Sequence, residues 1–381
     1  MNQSAEDPPA QLLVKLLNRQ TMNSSPTLLS LGTGVLLTLA AGCGKNHEME
    51  MPVKVNYPAA YAVNGESNSI SVIDLASNEV KATIKLGEVS SSGGHGGAAS
   101  DGLMWPHHFG LHPNGSTLAI GVPGMDLSGG HAGGMAGMKG KIAVLNATDG
   151  KPIRTIELPI INHNAIYSPD GKEIWTSQMD DAGKVLVYDA GSYALKNTIG
   201  VGRQPAEVTF SADGTTAFVA NALDNTVTAI DPATKAVKAT IPVGADPVGA
   251  WAGSDNRMYV DNEEGESITV VNAQTYAVEA TIKLGFMPGY AVYHAAGEEL
   301  WVTDPDHGRV HFYHRMNNVW MSSGEVAAGK GAHAIAFTKD GKTAYVTNQL
   351  VGSVSVINAV AHAKIKDIPV GAKPNGIVIR Y

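Results

Sequence analysis

Histidine and methionine are the residue types of this sequence with the clearest chemical potential, because both side chains bind transition metals. The chain of 381 residues contains 13 His and 13 Met beside a single Cys. Imidazole nitrogen is a ligand for Cu, Zn and Ni, whereas thioether sulfur is a ligand for the soft ion Cu(I). A neutral histidine binds a metal near pH 7 without further activation. The positions of these residues therefore decide whether the sequence encodes a metal site.

Three histidines occupy one equivalent position in a repeated sequence pattern. They are His107, His163 and His333, and His108 follows the first of them directly. The segments align as Pro106-His107-His108, Asn162-His163-Asn164, Ala332-His333-Ala334 and Pro205-Ala206-Glu207. A lone histidine at such a place is more often a turn residue that bonds a backbone group. Three at one position favour a metal site instead.

Two glycine-rich insertions, residues 88–105 and 123–140, add further His and Met residues to one repeat. That repeat spans 72 residues, whereas the others span 41 to 44. The candidate ligands in the insertions are His95, Met104, Met125, His131, Met135 and Met138. Together with the aligned histidines, they predict a copper site with ligands for both Cu(II) and Cu(I).

The repeat itself predicts the elements that position these residues. Residues 203–244 and 330–371 are copies of a unit with four short apolar and β-branched runs, separated by turn signals. Four strands in about 42 residues make one blade of a β-propeller. Seven units follow one another, and the last ten residues form an inner strand that completes the first. We therefore predict an all-β, seven-bladed β-propeller of four-stranded blades, closed by the C-terminal strand.

Strand order predicts that both insertions lie on one face of the propeller. In a four-stranded up-and-down blade, the inner strand runs from the top face downward. The link from strand four to the next inner strand and the link between strands two and three then both lie on top. Insertion 88–105 lies in the link from strand four to the next inner strand, and insertion 123–140 lies in the link between strands two and three. We expect both at the mouth of the central channel, beside the aligned histidines.

The segments Phe218-Val219-Ala220-Asn221 and Tyr345-Val346-Thr347-Asn348 resemble the signature of the YVTN-type β-propeller repeat family. The Asp-Gly turns and Pro-Val-Gly ends around them match as well, and the resemblance covers residues 56–381. It implies a propeller fold of the kind found in bacterial secreted and surface proteins with many roles. Because a fold does not determine a function, the resemblance leaves the activity open.

The N-terminal 42 residues resemble a bacterial lipoprotein signal peptide. Residues 27–42 carry no charge, are too few to span a bilayer comfortably, and end in small residues before Cys43. This predicts removal of residues 1–42, lipidation of Cys43 and a flexible tether over 43–55. The next residue is Gly44, not the Asp associated with inner-membrane retention, which predicts an outer-membrane anchor facing the periplasm or the cell surface. The alternative is a plain secretory signal with an incidental Cys.

Composition excludes several classes of function. A formal net charge of −8 argues against nucleic acid as a partner, because phosphate binding needs a basic surface. A single Cys excludes an intrachain disulfide framework, a Cys-based zinc site and a c-type haem, which needs two Cys and a His.

Three functional hypotheses follow. The first is an extracytoplasmic, membrane-anchored propeller, not an enzyme, that binds copper for handling, sensing or delivery to a protein partner. The second is a copper oxidoreductase with an electron-transfer partner, since nitrous oxide reductase resembles this chain in carrying a His-ligated copper cluster at the channel of a seven-bladed propeller. The third is a propeller that binds protein or cell-wall ligands and whose histidines are incidental.

Overall fold

A computed structural model describes residues 53–87, 102–128 and 137–381. These residues form seven four-stranded antiparallel sheets, so the predicted seven-bladed β-propeller is confirmed. The predictions that lie outside the described residues are the signal peptide over 1–42, the lipidation of Cys43, and the candidate ligands His95, His131 and Met135. Within the described part of the chain, no helix has the length and apolar character that a membrane crossing requires.

Twenty-eight strands make up the described part of the ring, four to a blade. The first half of them comprises β1 (Ala59–Asn64), β2 (Ser69–Asp74), β3 (Glu79–Lys85), β4 (Phe109–Leu111), β5 (Thr117–Val122), β6 (Lys141–Asn146), β7 (Pro152–Glu157), β8 (Ile166–Tyr167), β9 (Glu173–Gln178), β10 (Lys184–Asp189), β11 (Leu195–Gly200), β12 (Pro205–Phe210), β13 (Ala217–Asn221) and β14 (Thr226–Ile230). The second half comprises β15 (Val237–Pro242), β16 (Pro247–Ala252), β17 (Arg257–Asn262), β18 (Ser267–Asn272), β19 (Val278–Lys283), β20 (Tyr290–His294), β21 (Glu299–Asp304), β22 (Arg309–Met316), β23 (Val319–Ala327), β24 (Ala332–Phe337), β25 (Thr343–Asn348), β26 (Ser353–Asn358), β27 (Ala363–Pro369) and β28 (Pro374–Arg380). A short 3-10 helix spans Ala222–Asp224.

The C-terminal strand closes the ring, as the sequence predicted. Blade 1 has the order β28-β1-β2-β3, and each later blade consists of four consecutive strands, beginning with β4 in blade 2. Strand β1 pairs with β28 in antiparallel register, from Ala59 opposite Arg380 to Asn64 opposite Pro374. Because β28 pairs with β1, the inner edge of β1 is not left open, and β28 takes the innermost place that the first strand takes in the other blades.

Apolar side chains fill the space between neighbouring blades. Successive residues of a strand point to opposite faces of the sheet, so each blade offers one apolar face to each neighbour. Strands two and three are mostly buried on both faces, with β22 of blade 6 the more exposed exception, and Trp175 of β9 and Trp301 of β21 are among the largest fully buried side chains. Outer strands such as β7 are largely exposed. The packed blades hold the inner strands, and therefore the residues at their starts, in fixed positions around the channel.

An asparagine at the end of the second strand joins three parts of a blade. Asn348 Nδ2 donates to Ser353 Oγ at 3.0 Å and to Ser355 Oγ at 2.9 Å. Its Oδ1 accepts from Gly329 N, in the link that enters the blade, at 2.9 Å. The residues that bond the third strand in the same way in other blades are Asn64, Asn221 and Asn262. This network explains the final Asn of the repeat signature.

Replacing Asn348 by Ala is expected to lower the free energy of unfolding by about 1–3 kcal/mol, because buried partners lose their hydrogen bonds. Urea unfolding, with the m-value compared between variants, measures this change. The control is Gln274→Ala at an exposed position, for which we expect a change below about 0.5 kcal/mol. Equal effects of the two substitutions would contradict the structural role of the asparagine.

Candidate metal centre

Three imidazoles and one carboxylate meet where the inner strands begin. His107, His108, His163 and Glu207 each offer one ligand atom, and these atoms all lie within 4.8 Å of one another. All four residues are buried. In a tetrahedral site with bonds of about 2.0–2.2 Å, ligand atoms are roughly 3.4 Å apart. The group of four, called the His/Glu cluster below, therefore has the size of a metal site.

Glu207 is the centre of the hydrogen-bond network in this cluster. Its Oε1 accepts from His108 Nδ1 at 2.6 Å and from His163 Nδ1, and its Oε2 accepts from Asn164 Nδ2. The Glu207 side chain is only 1% exposed, and a buried carboxylate needs such donors. Because a carboxylate only accepts hydrogen bonds, both Nδ1 atoms carry protons when no metal is bound. A metal ion displaces such protons and binds the same atoms.

A close approach between the backbones of blades 2 and 3 brings His163 beside His107 and His108. Gly121 permits this approach, because a Cβ there would lie 2.8 Å from His163 O. The Gly121 backbone also fixes the histidine pair: His107 N donates to Gly121 O, and Gly121 N donates to His108 O, each at 2.9 Å. The inner strands β4 and β8 have only three and two residues, so the histidine segments before them are irregular.

His333, the third of the aligned histidines, lies next to the His/Glu cluster. Its ring centroid is 5.2 Å from that of His108 and 6.2 Å from that of His107. Its Nδ1 is 3.4 Å from Asn375 O, which belongs to the inner strand of blade 1. The sequence alignment thus brought four histidines together correctly, while the role of His333 as a metal ligand stays a prediction.

The described methionines of the insertions have other surroundings. Met125 and Met138 pack against a small buried cluster of Leu127, Ile161 and Met179. The side chain of Met104 is exposed. Apolar packing accounts for the first two positions, and metal binding by any of the three methionines stays a prediction.

Polar contacts fix the described ends of both insertions to blade 1. Lys373 Nζ donates to Asp126 Oδ2, and to Ser128 Oγ at 3.0 Å. The same ammonium lies 5.7 Å from the centroid of the Trp105 ring, and Trp105 N donates to Asn68 Oδ1 at 2.8 Å. Ser128 also lines a cavity at the start of the inner strands, so the second insertion begins at the mouth of the channel.

Two cavities lie along the channel, one on each side of the His/Glu cluster. The mouth cavity has a volume of about 240 Å³, and its lining includes His107, His163 and the top-loop residue Glu263. The channel cavity has a volume of about 230 Å³, and its lining includes His108, Glu207 and residues farther along the inner strands. The cluster is therefore within reach from both directions along the channel.

An aromatic pair forms one wall of the channel cavity. The ring centroids of Trp251 and Tyr290 are 3.9 Å apart, and each is a little over 6 Å from the His108 ring. Asp261 accepts a hydrogen bond from Trp251 Nε1 at 3.0 Å and so fixes the indole ring. Burial, and then the charges of Glu207 and Asp261, raise the pKa of Tyr290, so its hydroxyl is neutral.

Burial also raises the pKa of two carboxyl groups in the top loops of blade 5. Burial, and then the charges of Asp246 and Glu264, raise the pKa of Glu263 to about 8. Burial and the charge of Glu264 raise the pKa of Asp246 to about 6. At neutral pH the mouth cavity is therefore lined by a largely protonated Glu263 rather than by a carboxylate.

Replacing Glu263 by Gln is expected to stabilise the fold at pH 9 and to change little at pH 4. An unfolded Glu titrates near 4.5 and the folded Glu263 near 8, so the folded state binds more protons in between. The free energy of unfolding of the wild type therefore falls as the pH rises through this window. We expect a gain of about 1–3 kcal/mol at pH 9, measured by urea unfolding. The control is the exposed Glu266→Gln, and a Glu263 variant that is less stable at pH 9 would contradict the assignment.

Sequence reasoning missed Glu207, although the signal was present in the alignment. Glu207 stands at the position equivalent to His108 and Asn164, one residue after the aligned histidines. The column of aligned histidines lies one position earlier, so Glu207 falls outside it. A carboxylate in the same column as a histidine and an asparagine marks a second ring of polar residues facing the same centre.

Comparison with known proteins supports the fold. No family model matches the chain, and no curated protein sequence matches it. A functionally unknown protein from Desulfotomaculum acetoxidans superposes with a TM-score of 0.67 at 13% identity, over 85% of this chain and 99% of the other. The periplasmic gluconolactonase PpgL of Pseudomonas aeruginosa gives 0.65 at 17%, over 85% and 99%. Kuenenia stuttgartiensis hydrazine synthase gives 0.61 at 17%, over 75% and 91%. At such identities the likeness shows the propeller fold alone.

Proposed function

We propose that this propeller binds a divalent transition metal, copper above all, in the His/Glu cluster at the top of its channel. The observation that carries the proposal is the meeting of four buried ligand atoms from His107, His108, His163 and Glu207 within 4.8 Å. Buried imidazoles and carboxylates at such spacing are the usual ligands of a protein metal site. Asn164 Nδ2 donates a hydrogen bond to Glu207 Oε2 and so orients the carboxylate, as hydrogen-bond partners of metal ligands commonly do.

The ligand set favours Cu(II) as the resident ion. Among first-row divalent ions, copper binds nitrogen and oxygen ligands most tightly. The carboxylate of Glu207 is a hard ligand that suits a divalent ion better than Cu(I). We assign Cu(I) binding to the methionines of the insertions and Cu(II) binding to the His/Glu cluster.

Handling or delivery of the metal fits this geometry better than catalysis. Four protein ligands complete a four-coordinate shell, whereas a catalytic site keeps one position for substrate. The mouth cavity, lined by His107, His163 and His333, offers a route along which an ion enters or leaves. We propose that a metal-delivery or redox protein docks at this mouth.

The proposed location is outside the cytoplasm, on a lipid anchor at Cys43. Its support is the sequence of the first 43 residues, which resembles a bacterial lipoprotein signal. An oxidising compartment suits Cu(II), and the predicted tether over 43–55 would connect the anchor to the propeller. The anchor places the metal site at an outer-membrane surface.

Metal loading of the purified protein tests the proposal. Wild-type protein is stripped with a chelator, loaded with Cu(II), and analysed for bound copper and for the dissociation constant by competition. The test variant replaces His107, His163 and His333 together by Ala. The matched control replaces His307, His311 and His314 of blade 6, three histidines away from the cluster.

We expect one tightly bound copper per chain in the wild type and the control, and loss of that ion in the test variant. Absence of tight binding by the wild type would contradict the proposal, and so would unchanged binding by the test variant. A redox-active, multinuclear copper spectrum would favour the oxidoreductase hypothesis over metal handling.

A further inference from the structure

The N-terminal segment enters the propeller at its bottom face, which lies opposite the mouth of the channel. Val55 is fully buried, and Val53 packs against the same apolar cluster between blades 1 and 2. Val55 N donates to Thr148 O at 2.7 Å, and Arg380 Nη1 donates to Val55 O at 3.3 Å. Thr148 lies in the link between β6 and β7, the third and fourth strands of blade 2, and such links are on the bottom face. The described start of the chain is therefore fixed to the bottom face.

Blade 7 presents exposed apolar side chains and lysines on this face. Val360, in the link between β26 and β27, is 72% exposed, and Ile365, near the start of β27, is 55% exposed. The other bottom link of the blade, between β24 and β25, holds the exposed Lys339 and Lys342, with Asp340 between them. Apolar side chains flanked by lysines are typical of surfaces that lie at a membrane interface.

An open, largely apolar groove continues this surface from blade 7 to blade 1. Its volume is about 680 Å³, and its lining includes Pro58, Leu75, Lys339 and Tyr381. The Tyr381 hydroxyl accepts a hydrogen bond from Lys339 N, which joins the end of the chain to blade 7. Pro58 follows Val55 by three residues, so the groove reaches the place where the chain enters the propeller. The exposed apolar surface and the chain entry thus belong to one side of the bottom face.

The links at the top of blades 3 and 5 have a different character. They carry the exposed carboxylates Asp181, Glu264 and Glu266. An anionic lipid surface repels such groups and attracts lysines such as Lys339 and Lys342. A membrane therefore favours contact with the bottom of blade 7 over contact with these top links.

The length of the N-terminal segment favours the same orientation. As the flexible tether that the sequence predicts, residues 43–52 would span about 17 Å on average. Strands of six residues, such as β26, give a blade a height of about 20 Å before its loops are added. A tether that starts at the bottom face is therefore short compared with the path around a blade to the top.

We propose that the bottom face of blade 7, with the groove beside blade 1, lies against the surface of a lipid bilayer. This inference rests on the lipid anchor proposed at Cys43 and assigns the face of the propeller that the anchor holds to the membrane. Val360 contacts the headgroup boundary, and anionic lipids attract Lys339 and Lys342. The mouth of the channel then opens away from the membrane, and the protein partner of the metal site reaches it from the aqueous side.

Quenching of a fluorescent label by nitroxide-bearing lipids tests this orientation. The full, lipidated chain is bound to vesicles of phosphatidylethanolamine and anionic phosphatidylglycerol. Blade 7 offers a matched pair of label sites, Val360 in a bottom link and Leu350 in a top link, which are 72% and 64% exposed. Cys43 is the single cysteine of the sequence and its sulfur carries the lipid, so Val360→Cys and Leu350→Cys each supply one thiol for a bimane label. We expect headgroup nitroxides to quench the label at position 360 at least about threefold more strongly than the label at position 350.

Charge reversal tests contact with the lipid surface. Lys339→Glu combined with Lys342→Glu, in the Val360→Cys variant, is expected to lower the quenching at least about twofold, because anionic lipids repel the new carboxylates. The matched control is Lys184→Glu combined with Lys283→Glu, two exposed lysines at the top ends of β10 and β19. We expect quenching in this control to stay within about 20% of the value for Val360→Cys alone. Circular dichroism verifies that each variant is folded.

Equal quenching of the two labels on vesicle-bound protein would overturn the orientation, and so would stronger quenching at position 350. An unquenched label at position 360, the result expected if another protein covers blade 7, would overturn it as well. Quenching that charge reversal at Lys339 and Lys342 leaves unchanged would overturn the lipid contact. Failure of the protein to float with vesicles would contradict the lipid anchor and this inference together. None of these outcomes changes the copper experiment, which uses no membrane.

Discussion

Replacing Glu207 by Gln is expected to weaken Cu(II) binding by at least about 100-fold, because it removes the one anionic ligand of the cluster. Substitutions of groups that merely hold a ligand typically cost 10- to 100-fold in metal affinity, so loss of a ligand costs more. Glutamine has nearly the same volume, but its amide is neutral and places an NH₂ donor beside imidazole N–H groups. A competition titration with a copper chelator measures the change.

A graded pair of controls separates coordination from packing. Asn164→Ala removes the donor to Glu207 Oε2 while leaving every proposed ligand, and we expect a 10- to 100-fold loss. Glu325→Gln alters a half-exposed carboxylate on the outer strand β23, and we expect copper affinity to be unchanged. Copper affinity of Glu207→Gln within threefold of the wild type, in a folded variant, would contradict the assignment of Glu207 as a ligand.

Deletion of residues 374–381 is expected to prevent the protein from folding to a stable ring. These residues form β28, whose Ile377, Val378 and Ile379 pair with β1; Ile377 and Ile379 pack between blades 1 and 7, and Val378 packs between blades 1 and 2. Full burial of such a side chain contributes about 1.5–3 kcal/mol, and the partly buried Val378 and Ile379 contribute less than the buried Ile377. Their sum, with the lost strand pairing, is comparable to the whole stability of about 5–15 kcal/mol of a typical domain.

Thermal unfolding followed by circular dichroism, with dye binding to exposed apolar surface, measures the effect of the deletion. The matched control removes only Tyr381, which follows β28 and is 58% exposed. A synthetic peptide with the sequence of residues 371–381, added in trans, is expected to restore the transition partly, because it can add the missing strand. A melting temperature of the deleted protein within about 5 °C of the wild type would contradict closure by β28.

The fold was predictable because its signals are local and repeated. Turn signals recur at a fixed period, and the final Asn of each signature, such as Asn348, makes the same hydrogen bonds in several blades. The C-terminal segment has the pattern of an inner strand but is followed by no further strands, and the first unit lacks an inner strand, so β28 was expected to pair with β1. Each of these signals predicts part of the fold without knowledge of which distant residues are in contact.

The site was predictable only in part, because its residues do not follow strand periodicity. In a regular strand His107 and His108 would point to opposite sides, yet both are buried in the cluster. The short inner strands β4 and β8, and the approach that Gly121 allows, bring these side chains together. Glu207 lies in β12, whose pairing with β13 shifts register between Pro205 and Val208, and the sequence marks it only by its alignment with His108 and Asn164.

The methionines illustrate a different limit of the sequence. Met125 and Met138 have the right chemistry for Cu(I), but a methionine side chain is equally suited to fill an apolar cluster. In the structure these two side chains contact Leu127, Ile161 and Met179. Residue type alone does not separate a thioether ligand from a core side chain.

The most direct test of the metal site is a crystal structure of the copper-loaded protein with anomalous scattering recorded at the copper edge. We predict one strong anomalous peak per chain, about 2.0–2.2 Å from ligand atoms of His107, His108, His163 and Glu207. Absence of a peak among these four residues, or a strong peak only elsewhere in the chain, would contradict it.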